Sequence, residues 1–327
     1  MITRIFVFLF WLDHILGHPT LPLSVSYNTA IASSQLDQLA KFAVNVTKSA
    51  IGSSGNCTLE NLHIRRDWRA FSNIEKKAYI NSVLCLQKLP ARTPSDLAAG
   101  AKTRYDDFVA THINQTLLIH RTGTFLGWHR WFIYEFESAL RDECDYHGDY
   151  PYWDWGADAD DMERSELFDG SDTSISGNGL WTPSELDIKV PRFNNYTSIV
   201  HLILNNDNVW DFQTELQGVP GSGALGVHGG GHYSMGGDPG RDADGSPGEP
   251  GFWHHHGMID RVWWIWQSLD LEMRQYAISG TGTFMDQPAS PNTTLDTVVD
   301  IGYANSGPVV MKDLMSTTAG KFCYVYV

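Results

Sequence analysis

Apolar residues along much of this chain recur with the 3.6-residue period of a helix and seldom alternate as in a strand. From His129 to Glu143 the apolar positions Trp131, Phe132, Phe136, Ala139 and Leu140 fall on one helical face, with His129 at the start. From His254 to Gln275 the same holds for Val262, Ile265, Trp266 and Leu269. Ser34 to Ile51 and Ser95 to His112 also read as helices, and Phe71 to Gln87 opens with Ser72 and Glu75 in a capping-box pattern. Strand patterns are short, at Val309 to Met311 and Phe322 to Val327. Between these elements lie long polar stretches. Gly156 to Pro183 is rich in Asp, Ser and Gly, and its acids Asp158, Asp160, Asp161, Glu163, Glu166 and Asp169 read as a solvated loop. Ser234 to Gly251, rich in Gly, Pro and Asp, feeds directly into the His-led helix. No internal repeat or linker divides the chain, so the expectation is one mainly α domain with long loops and few short strands.

Charge narrows the function. The 23 basic against 38 acidic residues give a net charge of -15, which disfavours nucleic acid and anionic lipid as partners. Met1 to Gly17 holds one cation, Arg4, and an apolar run from Ile5 to Leu12, too short to span a bilayer but suited to a signal peptide. Residues 1–18 are therefore expected to be removed and 19–327 to be secreted, with no membrane anchor in the mature form; the cleavage position is open. Sequons at Asn45, Asn56, Asn114, Asn195 and Asn292 suit a glycosylated, exported surface. Cys57, Cys85, Cys144 and Cys323 are widely spaced with no Cys-x-x-Cys, which argues for two disulfides over a zinc or redox motif.

The chemistry lies in the histidines. His112, His120 and His129 occur as H-x7-H-x8-H, and His228 and His232 as H-x3-H, which on a helix sets both rings on one face. Gly229, Gly230 and Gly231 between them each cost a helix about 1 kcal/mol relative to Ala, so metal or packing must hold this turn. His254, His255 and His256 follow, and Asp260, four residues past His256, is placed to accept from an imidazole or to anchor the helix. Any one histidine could be a surface or core residue, but six at these spacings point to metal. Two imidazole triplets without thiolate or carboxylate suit copper better than calcium, magnesium or an iron-sulfur cluster; zinc remains chemically open.

The chain resembles the tyrosinase and catechol oxidase family of type-3 copper proteins, especially its short secreted fungal members. The resemblance runs through His120-x8-His129-Arg130, Phe136-Glu137, Leu140-Arg141, Cys144, Pro151-Tyr152-Trp153-Asp154-Trp155, His228-x3-His232 and Phe252-Trp253-x-His255-His256-x3-Asp260-Arg261. It extends from about Arg66 to the C-terminus, where Tyr324-x-Tyr326 matches the motif closing the family's catalytic domain. It implies a four-helix bundle around a dinuclear copper site, with O2 as co-substrate and no C-terminal shielding domain. The first copper's ligands would be His112, His120 and His129, the second's His228, His232 and His256. His255 would stand behind the second site, and Phe252 would be the aromatic packed over it. The chain departs from the family in three places. Leu118 replaces the cysteine that many members link to the second histidine, so no thioether is expected; Glu249-Pro250 replaces Asp-Pro; and His254 stands where an apolar residue is usual. Cys85 with Cys144 and Cys57 with Cys323 is the preferred pairing, since Cys85 lies in a helix near the first-copper helices and chain termini commonly meet.

The resemblance implies oxidation of a small phenolic substrate, an o-diphenol with o-aminophenols as a further class, to the o-quinone. Full tyrosinase activity or haemocyanin-like oxygen binding are the alternatives. The family ties monophenol hydroxylation to an Asn after the first histidine of the second set, where this chain has Gly229, so that activity is expected to be weak or absent. Glu215 or Asn206 could supply the missing base. The sequence leaves the oligomeric state open.

Overall fold

A computed structural model describes residues 25–52, 56–175, 193–235, 237–305 and 307–327. The segment read as a signal peptide and the end of the acidic stretch lie outside the described residues.

The fold is mainly helical, and its central helix is α10 (Gly251–Ser268). Every residue of α10 is buried, Asp260, Arg261 and Gln267 included, so it packs on all sides and its polar groups must find partners within the protein. Around it lie α1 (Val25–Ala50), α4 (Phe125–Cys144), α6 (Tyr196–Leu204) and α8 (Gly226–Met235), the last followed by the short α9 (Gly237–Arg241). α3 (Arg104–Ile119) packs on α4, as does α2 (Asn73–Leu86). α3, α4, α8 and α10 carry the clustered histidines and form the expected bundle.

Start signals account for most helix boundaries. The Ser72–Glu75 capping box opens α2 as expected, and Glu75, held by Arg66 and the Ser72 backbone, has its carboxyl lowered to about 2. α3 corrects its expected position: it opens at a second capping box, Thr103 with Asp106, and runs past His112 to Ile119. The stretch from Ser95 to Gly100 is turn, following Pro94. α1 begins at Val25 instead of Ser34, and α4 at Phe125, which moves His129 into the second turn. The expected helix to Gln275 stops at Ser268, and a short α11 (Leu271–Arg274) starts anew on an Asp270 cap. α6 and α7 (Val209–Leu216), missed in the sequence, are opened by Asn195 and Asn208, whose side chains accept backbone N–H groups.

The strands are short. β1 (His63–Asp67) lies between β2 (Pro151–Tyr152) and β5 (Tyr324–Tyr326), parallel to both, with Arg66 opposite Pro151 and His63 opposite Tyr324. β3 (Val298–Val299) pairs antiparallel with β4 (Val309–Val310). Disulfides Cys57–Cys323 and Cys85–Cys144 are formed as expected; the first ties the entry of β1 to the start of β5, the second ties α2 to α4. Asp158 corrects the reading of the acidic stretch as wholly solvated. It is buried at the end of α5 (Trp155–Asp158), accepting from Trp153 Nε1 at 2.7 Å and Ser165 Oγ at 2.6 Å.

Candidate metal centre

The bundle brings the separated histidines into two facing clusters. α3 supplies His112 and, at its C-cap, His120; α4 supplies His129. Their ring centroids lie 5.0 to 5.7 Å apart. α8 supplies His228 and His232, whose Nε2 atoms are 3.2 Å apart, and α10 supplies His256, whose Nε2 is 3.4 Å from that of His232. The clusters meet where the His129 and His256 rings stack at 4.5 Å. In each cluster one nitrogen per residue falls within 4.8 Å of all the others, a spread that one metal ion can bridge.

Hydrogen bonds fix which nitrogen faces inward. His112 Nδ1 lies 2.7 Å from Asp244 O, His120 Nδ1 3.0 Å from Thr116 O, and His129 Nδ1 2.8 Å from Phe125 O. A carbonyl can only accept, so each Nδ1 carries the proton and each Nε2 presents its lone pair. The buried Nε2 atoms of His112 and His129 have no partner among the described residues. Orphaned buried acceptors are rare in native proteins, and a metal ion between them would satisfy these. Burial also keeps the rings neutral, the form that ligates. It lowers His120 from the usual 6.5 to about 4 and His232 to about 3, and depresses His112, His129, His228 and His256 well below 6.5.

The glycines of α8 have a packing reason. A Cβ on Gly231 would stand 2.3 Å from the His255 ring, and one on Gly230 would meet Phe193 Cβ at 2.9 Å. Gly229 is half-buried, and a Cβ there would meet only Leu225, at 3.1 Å. Phe252 is fully buried with its ring 4.2 Å from that of His256 and 5.5 Å from that of His112. His255 is buried and falls in the same group as His228, His232 and His256, one nitrogen of each lying within 4.8 Å of the others; its ring is 4.4 Å from that of His232 and 5.2 Å from Trp155. His254 points elsewhere, edge-on to Trp68 and Tyr79. Leu118 is half-exposed, and all four cysteines are in disulfides, which leaves no thiol for a thioether.

Asp260 takes the second of its two expected roles, anchoring the helix: it accepts from Arg130 Nε at 2.5 Å, Tyr324 OH at 2.7 Å and Tyr326 OH at 2.6 Å, which ties α10 to α4 and β5. Glu215 and Asn206 are bound to each other at 2.7 Å, and Glu215 also holds His201 at 3.0 Å. Sequence reasoning missed Arg65, which is fully buried on Glu137 at 2.5 Å and donates to Tyr326 OH at 2.8 Å. It also missed Phe125, wedged between His129 and His228 at 4.8 and 5.0 Å.

An all-imidazole pair of clusters inside a helical bundle defines a dinuclear metal protein of the type-3 copper class. The family model described as the common central domain of tyrosinase matches residues 102–191 and 187–269. Tyrosinase P of Aspergillus terreus is 33% identical over 80% of this chain and 91% of its own length. N-acetyl-6-hydroxytryptophan oxidase ivoB of Emericella nidulans is 31% identical over 89% of this chain and 99% of its own. A solved glycine-to-asparagine mutant of polyphenol oxidase from Thermothelomyces thermophila is 34% identical, with a TM-score of 0.85 over 90% of this chain and 98% of that one. The chain belongs to the tyrosinase family, and is an oxidoreductase with a dinuclear copper site acting on phenols.

Proposed function

We propose that His112, His120 and His129 hold one copper, that His228, His232 and His256 hold the other, and that the protein oxidises o-diphenols with weak or absent monophenol hydroxylation. The observation that carries the ligand assignment is the set of Nδ1-to-carbonyl bonds that turns the first three Nε2 atoms inward, facing the three converging Nε2 atoms of the second cluster. When bound, the copper pair supplies the electron transfer to O2 that the side chains cannot. Each o-diphenol yields two electrons and two protons, so two o-diphenols and one O2 give two o-quinones and two waters.

The chain's own residues prepare the site. Burial keeps the ligands neutral, the carbonyls of Phe125, Thr116 and Asp244 orient them, and Phe252 excludes water from the inner face. The approach lies over His228 and Gly229, which are only half-buried. A catechol gives up its protons on binding, whereas a monophenol needs a positioned base to remove its phenolic proton. Gly229 offers none, and Glu215 is engaged with Asn206 and His201. The relative named for oxidising a hydroxytryptophan supports substituted aromatic substrates, among which we place o-aminophenols as a second class. Residues 19–327 are read as the exported catalytic domain; no described helix is long and apolar enough to cross a membrane.

Oxygen uptake by copper-loaded protein on catechols, monophenols and o-aminophenols tests this reading. Turnover should be fastest on catechols, and Gly229→Asn at equal copper content should raise the monophenol-to-diphenol ratio. Monophenol hydroxylation in the parent as fast as catechol oxidation would overturn the diphenol assignment, and reversible oxygen binding without turnover would make the protein a carrier.

A further inference from the structure

A cavity of about 520 Å³ opens beside the bundle, and none of the clustered histidines lines it. Its wall includes Arg121, Trp210, Thr281, Met285, Asp286 and Asn292. Three of these, Arg121, Met285 and Asp286, hold left-handed backbone with φ of 53°, 51° and 58°. Non-glycine residues keep that conformation only where surrounding bonds over-determine it. Those bonds are Arg121 N–H to Gln217 Oε1 at 2.8 Å, Met285 N–H to Arg121 O at 3.3 Å, and Gly123 N–H to Thr281 O at 2.9 Å. The cavity is therefore braced, with Trp210 at its rim 53% exposed.

Asn292 in this wall begins the sequon Asn292-Thr293-Thr294. The segment is extended, and Asn292 bridges to Thr281, so successive side chains alternate sides. Thr293 points inward, buried, with its hydroxyl donating to Thr281 O at 3.3 Å. Asn292 and Thr294 are both exposed, and the Asn292 amide has no hydrogen bond to the described residues. The other sequons are placed differently. Thr47 and Thr116 are buried in helices with their hydroxyls engaged, by Trp264 at 2.9 Å and His112 O at 2.8 Å. Asn195 caps α6, and Asn56 adjoins the disulfide at Cys57.

We propose that Asn292 carries an N-linked glycan whose first sugars sit in this cavity against Trp210. In forming it, Asn292 Nδ2 gives up one hydrogen and bonds the anomeric carbon of a lipid-diphosphate-linked oligosaccharide. The lipid diphosphate leaves with that proton, and nothing is oxidised or reduced. The occupant is named by its attachment to the wall, and an exposed indole offers the apolar surface on which a sugar's C–H face packs. The proposal rests on passage through the secretory pathway and is independent of the copper assignment.

The test is to make the full chain in a eukaryotic secretory host and measure its glycopeptides and intact mass. The Asn292 peptide should be occupied, and Asn292→Gln should lose the mass of one glycan while keeping catechol oxidation. A peptide N-glycosidase should release this glycan several-fold more slowly from the native parent than from native Trp210→Ala. A bare Asn292 beside another occupied sequon would overturn the proposal while leaving export intact; no occupancy at any sequon would overturn both. Equal release rates from parent and Trp210→Ala would show that the sugar does not sit in the cavity.

Discussion

At the scale of single residues, spacing in the sequence revealed the imidazoles because side-chain identity carries their chemistry. The groups that orient them are backbone carbonyls, such as Asp244 O on His112, and any residue could supply those. The triple glycine was legible as a helix cost, but its reason, the ring of His255 against Gly231, needs the packing of α8 on α10. A methyl group at 231 would force that ring and the neighbouring His232 to move. Gly231→Ala should therefore lower stability by roughly 1–3 kcal/mol and reduce copper at the second cluster. Gly229→Ala needs only a small shift of Leu225 and should keep parental copper content. Metal analysis and thermal melting of the two variants check this, and a parent-like Gly231→Ala would refute it.

Among elements, the amphipathic patterns of α4 and α10 and the Ser72 capping box were readable because period and caps are local signals. β1 was not, since its centre is Arg65, a charge that reads as surface yet is fully buried between Glu137 and the β5 tyrosines. α3 was displaced because the capping box at Thr103 outweighs the helical character of the preceding stretch. The tie between elements is Asp260, which joins α10 to Arg130 of α4 and to Tyr324 and Tyr326 of β5. Asp260→Ala would strand buried Arg130 and should cost roughly 3–5 kcal/mol. Tyr326→Phe removes two bonds to charged groups, one to Asp260 and one from Arg65, but both ions keep other partners, so it should cost less, about 1.5–3 kcal/mol. Denaturant unfolding of the two variants should rank them in that order.

For the whole molecule, the buried histidines couple folding to pH. Burial lowers His120 to about 4, and His232 and His254 to about 3, from the usual 6.5. Between 6.5 and those values the unfolded chain binds protons that the folded chain does not. The metal-free fold should thus be most stable above pH 6.5 and weaken as pH falls, each such ring adding up to about 1.4 kcal/mol per pH unit. Denaturant unfolding of apoprotein from pH about 7.5 down to about 5 reads this slope, and a flat profile would contradict it. Copper bound to the neutral rings should deepen the loss in acid, since protons then compete with metal. The most direct test of the account is copper content measured together with oxygen uptake on a catechol, in the parent and in His256→Ala. The account predicts two coppers per chain and steady uptake in the parent, with one copper and no turnover in the variant. A single zinc per chain, or full copper and undiminished turnover in His256→Ala, would contradict it.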